Sequence, residues 1–134
     1  MKKFLFLLPV LFFWGCATTN QDVQAKRDRL KETTPVCTNE KECKKMWSAA
    51  QAWVASNCRM KIQTVTDTII QTYTPTGSST AIGAKIIKVP LGNDQYRILV
   101  TIYCANEFGC VPDSWESAFH FNDYLGKFKE KKSN

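Results

Sequence analysis

From position 37 onward the apolar residues follow two different periods. Cys43, Met46, Trp47, Ala50, Trp53, Val54 and Asn57 recur at helical spacing, which predicts an amphipathic helix over 40–57 with both tryptophans on its buried face. Asn39 followed by Glu42 has the form of a capping box that would start it. From Met60 the composition turns to β-type residues (Ile62, Val65, Ile69, Ile70 and Tyr73 among threonines), and Thr66-Asp67 either kinks this stretch or divides it into two short strands. Pro75-Thr76-Gly77-Ser78-Ser79 reads as a loop. Two further strands are predicted over 81–89 and 95–104, joined as a hairpin by the five residues Pro90 to Asp94. In the second of them Tyr96, Ile98, Val100 and Ile102 share one face, while Arg97, Leu99, Thr101 and Tyr103 share the other. The wholly apolar face is the one predicted to meet helices. Asp113 with Glu116 offers a second capping box, after which Trp115, Ala118, Phe119, Asn122 and Leu125 line one helical face with Phe121 and Tyr124 beside it.

The order is helix, three or four strands, helix. The simplest arrangement is α+β: a two-layer sandwich, with an antiparallel sheet of three or four strands and the N-terminal and C-terminal helices on one face. This domain is expected to span 37–127, followed by a basic tail over 128–134. Ahead of it, 16–36 is polar and reads as a tether. A transient helix over 22–32 is compatible with its composition but has no apolar stripe to bury. No internal repeat or second domain is visible.

The start of the chain has a different pattern. Lys2 and Lys3 precede an apolar run from Phe4 to Trp14 interrupted only by Pro9. As a helix this run rises about 16 Å, roughly half of a hydrocarbon core of about 30 Å. Its length and flanking charge fit a signal peptide over 1–15. The following Phe13-Trp14-Gly15-Cys16-Ala17 resembles the lipobox of bacterial lipoproteins, in which a small residue precedes a cysteine that is diacylated and becomes the mature N-terminus. Gly15 and Cys16 fit that pattern; Phe13 and Trp14 depart from it, where Leu and a small side chain are usual. The resemblance implies lipidation at Cys16 and a membrane anchor on the periplasmic side. Ala17 stands where an Asp would signal inner-membrane retention under the enterobacterial sorting rule, so the outer membrane is favoured. Gly15-Cys16-Ala17 also has the small-residue spacing of an ordinary signal-peptidase site, and cleavage after Ala17 would release a soluble periplasmic protein.

Loss of residues 1–15 removes two lysines and no acids, which lowers the formal net charge from +6 to +4. Basic residues cluster only at Lys26, Arg27, Arg29 and Lys31 and at Lys127, Lys129, Lys131 and Lys132. Such clusters either touch anionic headgroups or other acidic envelope polymers or are solvated flanks of the domain. No basic stripe is interleaved with stacking aromatics, so nucleic acid is not an expected partner.

Five cysteines follow Cys16, and in an oxidising compartment they are read first as disulfides. Cys37 and Cys43 are separated by five residues, as are Cys104 and Cys110, and these two local loops are the predicted pairs. On a helix over 40–57, Cys43 and Cys58 would lie about 22 Å apart, well beyond the roughly 7 Å between bridged Cα atoms. Cys58 is then a free thiol, expected to be buried as a small hydrophobe. With one histidine and no closely spaced cysteine pairs, neither zinc nor any other cofactor is expected.

The Cys37–Cys43 lead into a Trp-bearing helix, Pro90-Leu91-Gly92-Asn93, and Tyr103-Cys104-Ala105-Asn106-Glu107-Phe108-Gly109-Cys110 together resemble small uncharacterised exported proteins of Gram-negative bacteria. That resemblance covers 37 to about 125. It implies a fold unit, supports the two disulfide pairs, and brings no activity with it.

Candidate chemistry is sparse. His120 has Glu116 one turn before it and Asp123 three residues after it; a Glu116–His120 pair would tune an acid or base, but the spacing reads first as a weak i,i+4 contact of a partly exposed helical histidine. A Cys58–His120 dyad lacks a third orienting residue and an oxyanion motif. No nucleophile elbow or Walker loop is present, and Asp67, Asp94, Glu107 and Asp113 show no spacing that gathers them. The expected role is therefore non-catalytic. Phe108, at the tip of the loop closed by Cys104 and Cys110, and Trp115 are the candidate binding residues, although for Phe108 itself a fold-back into the core is the favoured reading and an exposed contact the alternative. The function expected is binding or envelope assembly with a protein of the envelope, through the sheet edge or this loop. An immunity or inhibitor lipoprotein acting on a toxin or envelope hydrolase is the alternative, and a small envelope enzyme using Cys58 or His120 is a third reading.

Overall fold

A computed structural model describes residues 18–130. The predicted signal peptide, Cys16, Lys131 and Lys132 lie outside the described residues. The chain is α+β, with three helices and an open five-stranded antiparallel sheet: α1 (Thr18–Glu32), β1 (Val36–Cys37), α2 (Glu40–Asn57), β2 (Ile62–Val65), β3 (Ile69–Thr72), β4 (Gly83–Gly92), β5 (Gln95–Tyr103) and α3 (Ser114–Gly126). The sheet order is β1-β5-β4-β3-β2.

The expected count of three or four strands is corrected to five. The Ile62–Thr72 stretch is divided at Thr66-Asp67, and β1 adds a further edge strand of two residues through Val36 opposite Arg97 and Cys37 opposite Tyr96. A two-residue strand leaves no alternation to read. The expected two helices become three. α1 is held by its end rather than by a stripe: Leu30 packs against the core, and Asn122 Nδ2 donates to Leu30 O and Thr33 Oγ1, each at 3.1 Å. The guanidinium of Arg29 lies 4.3 Å from the Phe119 ring centroid.

α2 begins where its cap residue predicts. Asn39 Oδ1 accepts from the N–H of Glu42 at 2.9 Å. The return half of the capping box is displaced by one residue, because the Glu42 carboxylate accepts from the N–H of Thr38 (2.9 Å) and from its hydroxyl (2.7 Å). The β4–β5 connection is tighter than the five residues expected. Asn93 and Asp94 both have positive φ (52° and 56°), which makes a two-residue turn whose twist suits a hairpin. β4 therefore runs on through Pro90, which stands opposite Tyr96, beyond the last β3 partner at Ile69. No β3 acceptor awaits the N–H that proline lacks.

The core joins Met46, Trp47, Ala50, Trp53 and Val54 of α2 and Ala118, Phe121 and Leu125 of α3 to Ile70, Ala84, Ile86, Ile98 and Val100 of the sheet. Register explains this set: Ile70 faces Ile86, and Ile86 faces Val100, so one alternating set of strand positions carries the apolar side chains. The face predicted from Tyr96, Ile98, Val100 and Ile102 is the one that packs.

Candidate functional site

Two disulfides staple the fold, Cys37–Cys43 and Cys104–Cys110, with Cα separations of 5.1 and 5.8 Å. The second closes the loop after β5. Inside it, Asn106 Oδ1 accepts from the N–H of Phe108 at 2.9 Å, and Asn106 O accepts from the N–H of Gly109 at 3.0 Å. Gly109 takes φ 98°, a conformation costly for other residues. Beyond the loop, the N–H of Val111 donates to Thr80 O at 2.9 Å and ties it to the chain ahead of β4. The fold-back of Phe108 into the core, the favoured reading of the sequence, is corrected: Phe108 is 93% exposed at the tip of this loop, because the Asn106 and Gly109 turn carries it outward, and Val111 is 72% exposed. Trp115 is set apart from that exposure. It lies half-buried in the first turn of α3, its N–H held by Asp113 Oδ1 at 2.9 Å and its ring 6.4 Å from that of Phe119.

β1 has two residues and covers only Tyr96 and Arg97 of β5, so Leu99 to Tyr103 of β5 have no strand partner on that side among the described residues. The opposite edge, β2, has four residues with a register shift between Ile62 and Thr64. Short and irregular edges are poor templates for added strands.

Cys58 and His120 are not brought together. Cys58 follows α2, is buried, and borders a depression with Ala55, Arg59, Met60, Lys61 and Ile62. Burial pushes its thiol up to about 11. His120 borders a separate small depression with Arg29, Thr33, Phe119 and Asp123. Its Nδ1 accepts the indole N–H of Trp53 at 3.0 Å, and no ion pair joins it to Glu116 among the described residues. Among the described residues no three His, Cys, Asp or Glu side chains are grouped as metal ligands, and no helix is long and apolar enough to cross a membrane.

A cleft of about 670 Å³ lies where the start of α2 meets the β2–β3 turn and the end of the β4–β5 hairpin. Its walls include Trp47, Tyr96, Lys88, Asp67 and Asp94. In the sequence Asp67 and Asp94 stand out only as scattered carboxylates, and Lys88 is marked by one signal alone: it continues the core-facing series Ala84, Ile86 of β4.

No protein-family model, curated protein or solved structure matches the chain.

Proposed function

We propose that this chain is an exported lipoprotein, anchored at Cys16 on the periplasmic side of a membrane and most readily of the outer membrane, with a non-catalytic role in binding a protein of the envelope. The observation that carries the binding role is Phe108, fully presented on a loop whose backbone is already fixed by a disulfide, an Asn106 turn and the Val111–Thr80 hydrogen bond. Covering a phenylalanine ring releases about 1.5–3 kcal/mol. A loop ordered before binding loses little further entropy, so more of that energy appears as affinity. Buried aromatic anchors of this kind dominate protein interfaces. The anchor rests on the Gly15-Cys16 lipobox likeness, which two or three acyl chains would convert into stable membrane attachment.

The test is a photoreactive residue at position 108 in intact cells, followed by capture from solubilised envelopes. One stoichiometric adduct with an envelope protein is expected; a toxin or envelope hydrolase as the adduct would move the role to inhibition. A folded, membrane-bound protein with no adduct above background rules the loop out as the contact. The anchor is tested separately with Cys16→Ala, which is expected to leave the membrane fraction.

A further inference from the structure

Lys88 stands where the alternation of β4 calls for an apolar side chain. Its Nζ lies 5.1 Å from the Trp47 ring centroid and 5.2 Å from that of Tyr96. The two ring faces hold the ammonium by attraction to their π clouds. A ring is a weak hydrogen-bond acceptor, so the three N–H donors of the ammonium stay available to a stronger one. No carboxylate of the described residues lies within ion-pair distance of Lys88. Asp67 and Asp94, which border the same cleft, are likewise without an ion-pair partner among the described residues. Glu40 and Lys44 at the rim differ from them, since they neutralise each other at 2.6 Å.

The walls are held firmly. The indole N–H of Trp47 donates to Thr66 O at 3.1 Å in the β2–β3 turn. Tyr96 stands opposite Cys37, and the Cys37–Cys43 disulfide joins that position to α2 one turn before Trp47. A cleft of about 670 Å³ is thus preformed around one unpaired cation and two unpaired carboxylates, at a volume typical of small-ligand sites. None of the residues of the Cys104–Cys110 loop borders it.

We infer that this cleft is a binding site for a small amino-acid zwitterion, a free amino acid or a short peptide with unblocked termini. The ligand carboxylate meets Lys88 and its ammonium meets Asp67 and Asp94, so that the ligand spans the cleft that Trp47 and Tyr96 border. Because the cleft holds two unpaired carboxylates, a ligand with a second ammonium complements it best.

Calorimetric titration of the purified full chain tests this with alanyl-alanyl-lysine, trialanine, free lysine, and alanyl-alanyl-lysine acetylated at its N-terminus or amidated at its C-terminus. Alanyl-alanyl-lysine is expected to bind more tightly than trialanine, and each blocked form to bind about tenfold more weakly, as for loss of one charged hydrogen bond. Lys88→Gln should erase the difference between the free and amidated peptides, and Asp94→Asn, which tolerates the positive φ there, should shrink the advantage of the lysine-bearing peptide. Tighter binding of free lysine than of the peptide would identify an amino acid as the ligand, and the reverse order a peptide end. Equal binding of free and blocked peptides, unchanged binding by a folded Lys88→Gln chain, or no heat at millimolar ligand overturns the assignment.

Discussion

The indole N–H of Trp53 donates to Nδ1 of His120 across 3.0 Å, and so joins the most buried tryptophan of α2 to an exposed position on α3. The bond requires a lone pair on Nδ1, so the neutral imidazole carries its hydrogen on Nε2. Trp53 also meets Phe121 edge-on, with ring centroids 5.2 Å apart, which leaves the indole little freedom to seek another acceptor. The only histidine of the chain thereby serves to satisfy a buried donor.

His120→Ala is expected to cost about 1 kcal/mol, because it leaves a donor at the margin of the core without its acceptor. His120→Asn, whose amide oxygen can approach the place of Nδ1, should recover much of that loss. Urea denaturation followed by tryptophan fluorescence measures both. Equal stability of all three proteins would show that the bond contributes nothing to the fold.

Cys58 is expected to resist thiol reagents while the protein is folded. It is buried, and its thiol is pushed up to about 11, so near neutral pH the reactive thiolate is scarce and shielded at once. Labelling should wait for unfolding, and its rate should then follow denaturant concentration. Rapid labelling of the native chain would show an accessible thiol and return Cys58 to consideration as a nucleophile.

What could be read from the sequence divides along local and non-local lines. α2, the β4–β5 hairpin and α3 each carry their own period and cap or turn residues, and both disulfides close loops of equal local spacing. β1 escapes such reading because its two residues take their strand character wholly from Arg97 and Tyr96. α1 escapes it because Asn122, far along the chain, supplies the contacts that hold its end. Phe108 was visible as a loop-tip aromatic, but its exposure depends on how Asn106, Gly109 and Thr80 hold the loop. The cleft was invisible for a related reason: Trp47, Asp67, Lys88, Asp94 and Tyr96 come from four separate segments, and only the break in the β4 pattern at Lys88 marks it.

Gly83 is predicted to tolerate no side chain. A Cβ there would stand 2.8 Å from Thr72 Oγ1, 3.0 Å from Tyr73 O and 3.1 Å from Pro75 Cδ. Thr72 cannot easily yield, since its hydroxyl accepts from the N–H of Ala84 and donates to Tyr73 O, both at 2.9 Å. Gly83→Ala should therefore cost about 1–3 kcal/mol. Gly126→Ala, with open space around the added methyl, should be neutral or stabilise by up to about 1 kcal/mol. Thermal melts of the two variants make the comparison, and similar melting temperatures would refute the close-packing account.

The carboxylate of Glu42 makes stability depend on pH. It is buried, which opposes its charge, but the Thr38 hydroxyl and N–H, the N–H of Glu130 at 3.2 Å and the nearby charge of Lys129 together hold it below its ordinary value of 4.5. A group depressed in the folded state binds its proton more readily when unfolded. Its stabilising contribution is therefore complete above 4.5 and is lost as pH falls below that value towards the lowered one. Glu42→Gln should destabilise the protein by about 1–3 kcal/mol at neutral pH, since an amide oxygen accepts these bonds less strongly and its NH₂ faces donors. The same substitution should also flatten the fall in stability on acidification. Denaturant unfolding at neutral pH and at several acid values, for both proteins, gives the two slopes. Parallel slopes would mean that another carboxylate controls the acid limb and that Glu42 acts only as a cap.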